Sequence, residues 1–549
     1  MKFDVMNDPW IKVRYIDGTV GTLGIKECLT NAHKIKMIID AGRLSIQEYA
    51  IYLLLISMTA DIYRPYTEVD IEMLHEEESF PVEEIDKYIQ ECGDIFNVFS
   101  KERPFMQCPE SQLSAEVLKK IEEYKNSVSN DNPIKAVSCM NPAYPSGNTT
   151  VFFGCRMNDG YDGKYQDLAT MEITDYLSSV IMNHFCTVAS GQGRSAAITT
   201  SPQPPAFFLV KGRTLFDTIC ASLSPIGEND VPMWRREKYS WNVLDCKDDG
   251  WLSFVFYPVR YIMPVTVDKE TFTVSKVLFA GIKFPDDDKK KSTAKVKKTI
   301  EEPLLHPKHA IDIWVKSSPF IAKKTTKAGT RPVIIRADDA FWTAIPDFYT
   351  ITEKGIMQNA PVICSANVIE MLGYTPILSM YCCTLGTQSE KMPVEAKFDN
   401  CMPFEMWRFN NQKKRIVLDY IDFAKDVYKA LSRALYTKDK ELTNKTSADE
   451  AVFMLKDEVR QFLFKIYIPA VARISNEELD EYKNDLIRDA YRKAALRAKD
   501  LLKLYAPKSK IIEMYEAMNQ MVMEINQSAE KHNMPDLWKK KELRSAVQR

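Results

Sequence analysis

The chain has 549 residues, enough to bury large cores and to make roughly two to four domains at the usual domain size. Hydrophobic residues make up 45% and charged residues 27%, the balance of a soluble globular protein. The formal net charge of −2 excludes a globally basic nucleic-acid binder, so any polyanion must be met by local patches or shared with partner subunits.

The opening M-K-F-D-V-M-N-D-P-W has no apolar signal core, and the apolar run Ala50–Met58 is too short to span a bilayer. Twelve cysteines are scattered with no C-x-x-C pair, which argues against a zinc ribbon and for a reducing compartment. The expectation is a cytoplasmic protein with no membrane partner.

Trp10–Tyr15 alternates as a strand, Asp17-Gly18 signals a hairpin, and Thr19–Ile25 returns. Ser45 with Glu48 three residues on reads as a capping box, opening an apolar helix to about Ile62 that Arg64-Pro65 stops. Val82–Phe99 reads as another helix, and Phe105-Met106-Gln107 as part of a loop. Asn141–Phe153 (N-P-A-Y-P-S-G-N-T-T-V-F-F) is rich in turn formers: either a recognition loop or a plain connector.

A helical run from Met171 to Val188 leads into V-A-S-G-Q-G-R-S-A-A-I-T-T-S-P-Q-P-P, Val188–Pro205. Gly191 and Gly193 permit close backbone approach, and Arg194 could meet a phosphate or a base edge. The alternative is an ordinary helix end, glycine past the cap and proline beyond. Strands are expected at Ala206–Val210, Trp251–Tyr257, Arg260–Val267, Thr271–Leu278 and Val333–Arg336, with a helix at Leu215–Leu223. Asp286–Lys298 carries Lys289, Lys290, Lys291, Lys295, Lys297 and Lys298, and a second basic run holds Lys323, Lys324, Lys327 and Arg331. Such runs are commonly solvated surface, but two in a near-neutral chain favour phosphate contact.

Past Pro403 glycines become scarce and apolar residues recur at helical spacing. The stripes are Val417, Tyr420, Ala424, Val427, Leu431; then Val452, Leu455, Val459, Phe462, Ile466 after a Ser447/Glu450 capping box. After Ser475/Glu478 come Tyr482, Leu486, Tyr491, Leu496 and Leu501, stopped by Pro507; the last stripe is Ile511, Met514, Met518, Met521, Ile525. Four such helices with short joins describe an antiparallel four-helix bundle. The fold class is therefore α+β: a mixed N-terminal domain, residues 1–404, followed by a bundle, 405–549.

Catalytic motifs are lacking. No H-E-x-x-H, G-x-S-x-G or Walker loop occurs among the 549 residues. His306 and His309 are three apart across Pro307, a poor metal pair that leaves a metal-dependent nuclease as the enzymatic alternative. A binding subunit, without cofactor or metal, is favoured; a purely structural scaffold is the third possibility.

These motifs, in this order, resemble the large subunit (CasA) of the type I-E CRISPR surveillance complex Cascade. The resemblance rests on D-P-W-I-K-V near the start, R-P-F-M-Q at 103–107, P-S-G-N within 145–148, the glycine stretch 188–197 with the strand and helix after it, and the C-terminal bundle. It implies a non-enzymatic subunit that checks foreign duplex DNA for a short protospacer-adjacent motif (PAM) from the minor groove and begins strand separation for an R-loop. The implied partners are guide RNA, the backbone, small and guide-processing subunits, and a separate helicase-nuclease. Carried over residue by residue, Gly191, Gln192, Gly193 and Arg194 would form the glycine loop. The family lysine falls within Lys295, Lys297 and Lys298, and the wedge within Gly386–Pro403. There Lys391 stands where many relatives have glutamine, near Gln388, Glu390 and Met392. Asn141, Ser146, Gly147 and Asn148 would belong to the loop reaching guide RNA and neighbouring subunits. The C-x-x-C pair of some relatives is not matched.

Overall fold

A computed structural model of the chain describes residues 2–39, 45–124, 134–140, 170–185, 206–239, 250–258, 260–281, 317–326, 329–332, 367–385, 393–399, 411–436, 445–462, 466–475, 485–506 and 511–532. The described elements fall into two compact units, one running to Asp399 and one beginning with the helix at Asn411.

In the first unit, β1 (Ile11–Tyr15) and β2 (Val20–Leu23) make the expected hairpin, with Gly18 at φ 90° in the turn. After α1 (Ile25–Thr30), β3 (Ile35–Ile38) adds to the free edge of β1, giving the order β2-β1-β3. Helix α2 (Ser45–Tyr63) buries 15 of its 19 residues. A helix apolar all round belongs in the middle of a core rather than at its rim. It stops at Arg64, φ 49°, whose guanidinium donates to the carbonyls of Gly227, Glu228 and Asp230 at 3.1, 2.9 and 2.6 Å.

Helix α3 (Glu68–Glu76) opens on a Thr67/Asp70 capping box. Helix α4 (Val82–Cys92) is shorter than the expected Val82–Phe99: Gly93, at φ 60°, ends it, and Gly93–Phe96 continues as a 3-10 turn. Then follow α5 (Ala115–Tyr124), β4 (Ile134–Ala136), β5 (Met171–Glu172), α6 (Ile173–Phe185), β6 (Phe207–Lys211) and α7 (Leu215–Ser222).

Trp251–Tyr257, expected as a strand, instead contains the short helix α8 (Trp251–Phe254). A brief apolar run has no periodicity to separate the two states, and here side-chain and backbone partners decide. The Trp251 indole donates to the Ser224 and Pro225 carbonyls, and Ser253 N donates to Asp230 Oδ1. Strands β7 (Arg260–Asp268) and β8 (Thr273–Gly281) pair antiparallel, and β4 and β5 also pair with β8. The basic run 323–331 forms a hairpin, β9 (Lys323–Thr326) with β10 (Gly329–Pro332). After α9 (Asn367–Leu372), β11 (Ile377–Leu385) and β12 (Pro393–Asp399) complete a sheet of order β12-β11-β6. The expected strand at Val333–Arg336 lies outside the described residues.

The second unit holds α10 (Asn411–Leu435), α11 (Lys445–Phe462), the short α12 (Ile468–Arg473), α13 (Asp485–Tyr505) and α14 (Ile511–Lys531). Cross-helix contacts fix the directions. Phe462 lies by Tyr420 and Asp449 by Tyr436, so α11 runs against α10. Glu458 pairs with Arg497 and Phe462 with Lys493, so α13 runs against α11. Ser528 donates to Asp426 and Glu524 pairs with Arg433, so α14 also runs against α10. The four long helices form the antiparallel bundle, and Val417, Tyr420, Ala424, Val427 and Leu431 are all buried in it.

Three expectations there are corrected. Helix α11 opens at Lys445, before Ser447, and ends at Phe462, which leaves Ile466 54% exposed. Leu496 is 38% exposed because the smaller Ala494, Ala495 and Ala498 fill the contact face of α13. Ile511, at the very start of α14, is exposed, and its stripe is buried only at Met518, Met521 and Ile525. Segment 476–484, with Tyr482, lies outside the described residues.

Candidate nucleic-acid interface

The sequence places its candidate residues in segments that leave the described fold at identifiable strand ends. Strand β6 begins directly after the glycine stretch. Strand β11 ends directly before the wedge segment. The two strands are antiparallel, with Phe207 opposite Tyr381 and Lys211 opposite Ile377. The first residue of β6 therefore lies beside the later part of β11, and segments 186–205 and 386–392 join the sheet at the same end.

The wedge segment is closed at its base, because Leu385 and Pro393 face each other across the β11–β12 pair. A third segment joins this end. Ile321 bridges antiparallel to Phe207, and Phe208 N donates to Phe320 O at 2.9 Å. Running antiparallel to β6, the chain after Ile321 heads past Phe207 into the hairpin β9–β10, in which Arg331 and Lys324 are register partners. Lys323 is half-buried, and desolvation pushes its ammonium down to about 8.

Aromatic packing fixes this end of the sheet. Phe185 closes α6 just before the glycine stretch, and Phe207 opens β6 just after it; their ring centroids are 4.6 Å apart. Tyr49 of α2 lies 5.3 Å from Phe185, 5.6 Å from Phe207 and 4.8 Å from Tyr381. The Tyr49 hydroxyl donates to Phe208 O at 3.1 Å. Glu48 Oε1 accepts from Lys211 Nζ and from the Tyr381 hydroxyl, both at 3.1 Å, tying α2 to both strands. Phe185 and Phe207, the described residues that flank the glycine stretch, are thus clamped to α2, and Phe207 also pairs with β11.

The loop Arg103–Gln107 acts one layer deeper. Met106, at φ 52°, presents its carbonyl to the Nε2–H of buried His184 at 2.7 Å. Gln107 Oε1 accepts from the Tyr176 hydroxyl at 2.6 Å, and its Nε2 donates to Val98 O at 2.9 Å. The motif R-P-F-M-Q therefore seats helix α6, which delivers the glycine stretch.

The individual candidates Gly191, Gln192, Gly193, Arg194, Lys295, Lys297, Lys298, Gln388, Glu390, Lys391, Met392, Asn141, Ser146, Gly147 and Asn148 lie outside the described residues, as do His306 and His309. What is described is the framework holding the segments that carry four of the glycine-stretch and four of the wedge residues. Sequence reading missed that framework (Tyr49, Phe185, Phe207, Tyr381 and Glu48), because strand pairing over more than a hundred residues leaves no local pattern. Among the described residues, no group of three or more His, Cys, Asp or Glu stands together to hold a metal ion. No described helix is long and apolar enough to cross a membrane.

An α+β body with antiparallel sheets, together with a C-terminal antiparallel helical bundle, is the class of fold in hand. Residues 4–509 match the family model of CRISPR-associated protein Cse1, and the chain belongs to that family. The CasA/Cse1 protein of Thermus thermophilus is 24% identical over 235 residues, and that match spans 42% of this chain and 42% of the relative. Cse1 from Acidimicrobium ferrooxidans superposes with a TM-score of 0.67 at 16% identity, covering 97% of this chain and 99% of that one. Cse1 from Thermobifida fusca gives 0.65 at 14% identity, covering 97% and 99%. A chain of a CRISPR RNA-guided surveillance complex gives 0.60 at 13% identity, covering 95% and 99%. At these identities the structural likeness is one of fold.

Proposed function

We propose that this chain is the non-catalytic large subunit of a type I-E Cascade complex, and that it reads the PAM of foreign duplex DNA. The observation that carries the reading is the convergence, at one end of the sheet β12-β11-β6, of the segments bearing the glycine stretch, the wedge residues and the basic hairpin. Family membership and the surveillance-complex neighbour support it. In this reading Gly191 and Gly193 let the backbone of 191–194 approach the floor of the minor groove, whose degenerate code suits tolerance for related motifs. Lysines among 295, 297 and 298 hold phosphates. Residues 388–392 enter beneath the motif and open the first base step, at a cost of a few kcal/mol that the other contacts offset. Guide RNA then pairs with the target strand. The loop at 141–148 contacts guide RNA and neighbouring subunits, the bundle meets the small subunits, and a separate helicase-nuclease cuts.

The test is a gel-shift of the assembled complex, with and without this subunit, on guide-matched duplexes with randomised flanks. The subunit confers a preference for particular flanking bases, and Gly193→Asp abolishes it by placing a carboxylate against the groove. Binding that ignores the flanks with the subunit present refutes the reading.

A further inference from the structure

The chain leaves β6 through a tightly built corner. Gly212 follows the strand, and a Cβ on it would lie 2.2 Å from Asp217 Cβ and 3.0 Å from the Tyr374 hydroxyl, so only glycine fits. Thr214 and Asp217 close the capping box that opens α7. The Arg213 amide donates to the Tyr374 hydroxyl at 2.7 Å, and that hydroxyl donates to Asp217 Oδ2 at 2.7 Å. Asp217 Oδ1 faces His75 Nε2 of α3 at 3.3 Å. The Asp217 carboxylate is thus occupied by Tyr374, His75 and the Thr214 amide.

On this corner Arg213 is exposed to solvent. Its guanidinium carbon lies over the Tyr374 ring, 3.9 Å from the centroid. Among the described residues the guanidinium has no carboxylate partner and no hydrogen-bond acceptor. An exposed arginine ordinarily wanders among rotamers, but a ring against its guanidinium and a hydrogen bond at its backbone hold this one in place. A planar fork of donors, held still and reachable from water, fits two oxygens of one phosphate. Position decides which phosphate. Arg213 stands two residues past Lys211, the end of β6, whose first residue Phe207 flanks the glycine stretch. At about 3.3 Å per strand residue it lies roughly 15–20 Å from that end of the sheet. That distance is about five base steps of a duplex at about 3.4 Å each.

We propose that Arg213, held on Tyr374, receives one backbone phosphate of the target duplex, in the arm that flanks the PAM. This rests on the reading of the chain as the PAM-reading subunit. In that reading the duplex is opened on the guide side of the motif, so a paired backbone that far from the glycine stretch belongs to the flanking arm. The contact is indifferent to sequence, which separates its test from that of PAM reading.

Arg213→Gln and Arg213→Lys are made in the full-length chain and assembled into the complex. Binding of guide RNA and of guide-matched duplexes is titrated against salt, with flanking arms of about ten or about two base pairs, long enough or too short to reach Arg213. On the long arm, Arg213→Gln weakens duplex binding about three- to tenfold and lowers the log–log salt slope by about one, with flank-base preference intact. Arg213→Lys keeps the slope and recovers only part of the affinity, because a point charge replaces the fork. On the short arm, wild type and Arg213→Gln bind alike. Equal slopes on the long arm overturn the proposal, as does a difference that persists on the short arm or a loss confined to guide RNA. Failure of Arg213→Gln to enter the complex also overturns it, since the guanidinium would then seat a carboxylate of a partner protein. An unmodified complex that ignores the flanking bases refutes the PAM reading instead, whatever the slopes.

Discussion

Burial pushes the His184 imidazole down to about 4, from an ordinary value near 6.5. The cause is visible: Nε2–H is engaged by the Met106 carbonyl, and Nδ1 is sealed with no partner for a second proton. The unfolded chain therefore binds one more proton than the folded one between the two values. Stability is full above pH 6.5 and falls as pH drops toward 4, by about 3 kcal/mol over the whole window. Thermal melts from about pH 8 to 4 should show that loss, and His184→Gln, which keeps an N–H donor, should flatten it by about one proton. Equal pH slopes for the two proteins would show that His184 does not set this dependence. Its partner Met106 was legible in the sequence as a loop position within the R-P-F-M-Q motif, but not as a hydrogen-bond acceptor. Nothing local announces a left-handed backbone whose carbonyl serves a helix 78 residues away.

Among the elements, the clamp on α2 is the one whose loss should be felt in two ways. Phe207 is fully buried against Phe185 and Tyr49, and Phe207→Ala should cost about 3–5 kcal/mol by chemical denaturation. Phe185→Leu keeps most of the volume and should cost under about 1.5 kcal/mol. Tested in the assembled complex, that milder variant should still blunt flank preference, because it loosens the rim from which the glycine stretch departs; unaltered preference would show the rim to be merely structural. By contrast, the Arg497–Glu458 pair joining α13 to α11 is more than a third exposed on both sides, and Glu458→Ala should change stability by less than about 1 kcal/mol. Element types were legible where periodicity was long: the bundle helices, the β1–β2 hairpin and the β7–β8 pair all follow from spacing and turn residues. The sequence misled at Trp251, where a short apolar run carries no period, and at Gly93, where one glycine cut a helix whose pattern ran on.

For the whole molecule, a net charge of −2 means that electrostatic attraction to DNA has no global source. Replacing Lys295, Lys297 and Lys298 together by Ala should lower the salt slope of duplex binding by up to about one unit per lost phosphate contact. The same slope in wild type and triple variant would remove that run from the interface. The second unit has its own core, with Tyr420 stacked on Tyr467 at 4.4 Å and Phe423 beside Tyr491 at 4.4 Å. A fragment of residues 400–549 should therefore melt cooperatively as a helical protein, and a non-cooperative melt would show that its core is incomplete. Motif order over the chain already pointed to the family. What it could not supply was the long-range pairing of β6 with β11, since antiparallel partners as far apart in the chain as Phe207 and Tyr381 share no local signal.

The matched bases of those two segments bear on how such a protein can change. Leu385 and Pro393 are cross-strand neighbours, and Phe185 touches Phe207, so each segment starts and finishes at nearly one point on a rigid frame. Lengthening a chain segment whose two ends are held this close costs little entropy. The strand ends are seams. Replacing residues 186–205 and 386–392 together by those of a relative should leave this frame folded, since structures at 13–16% identity share its fold.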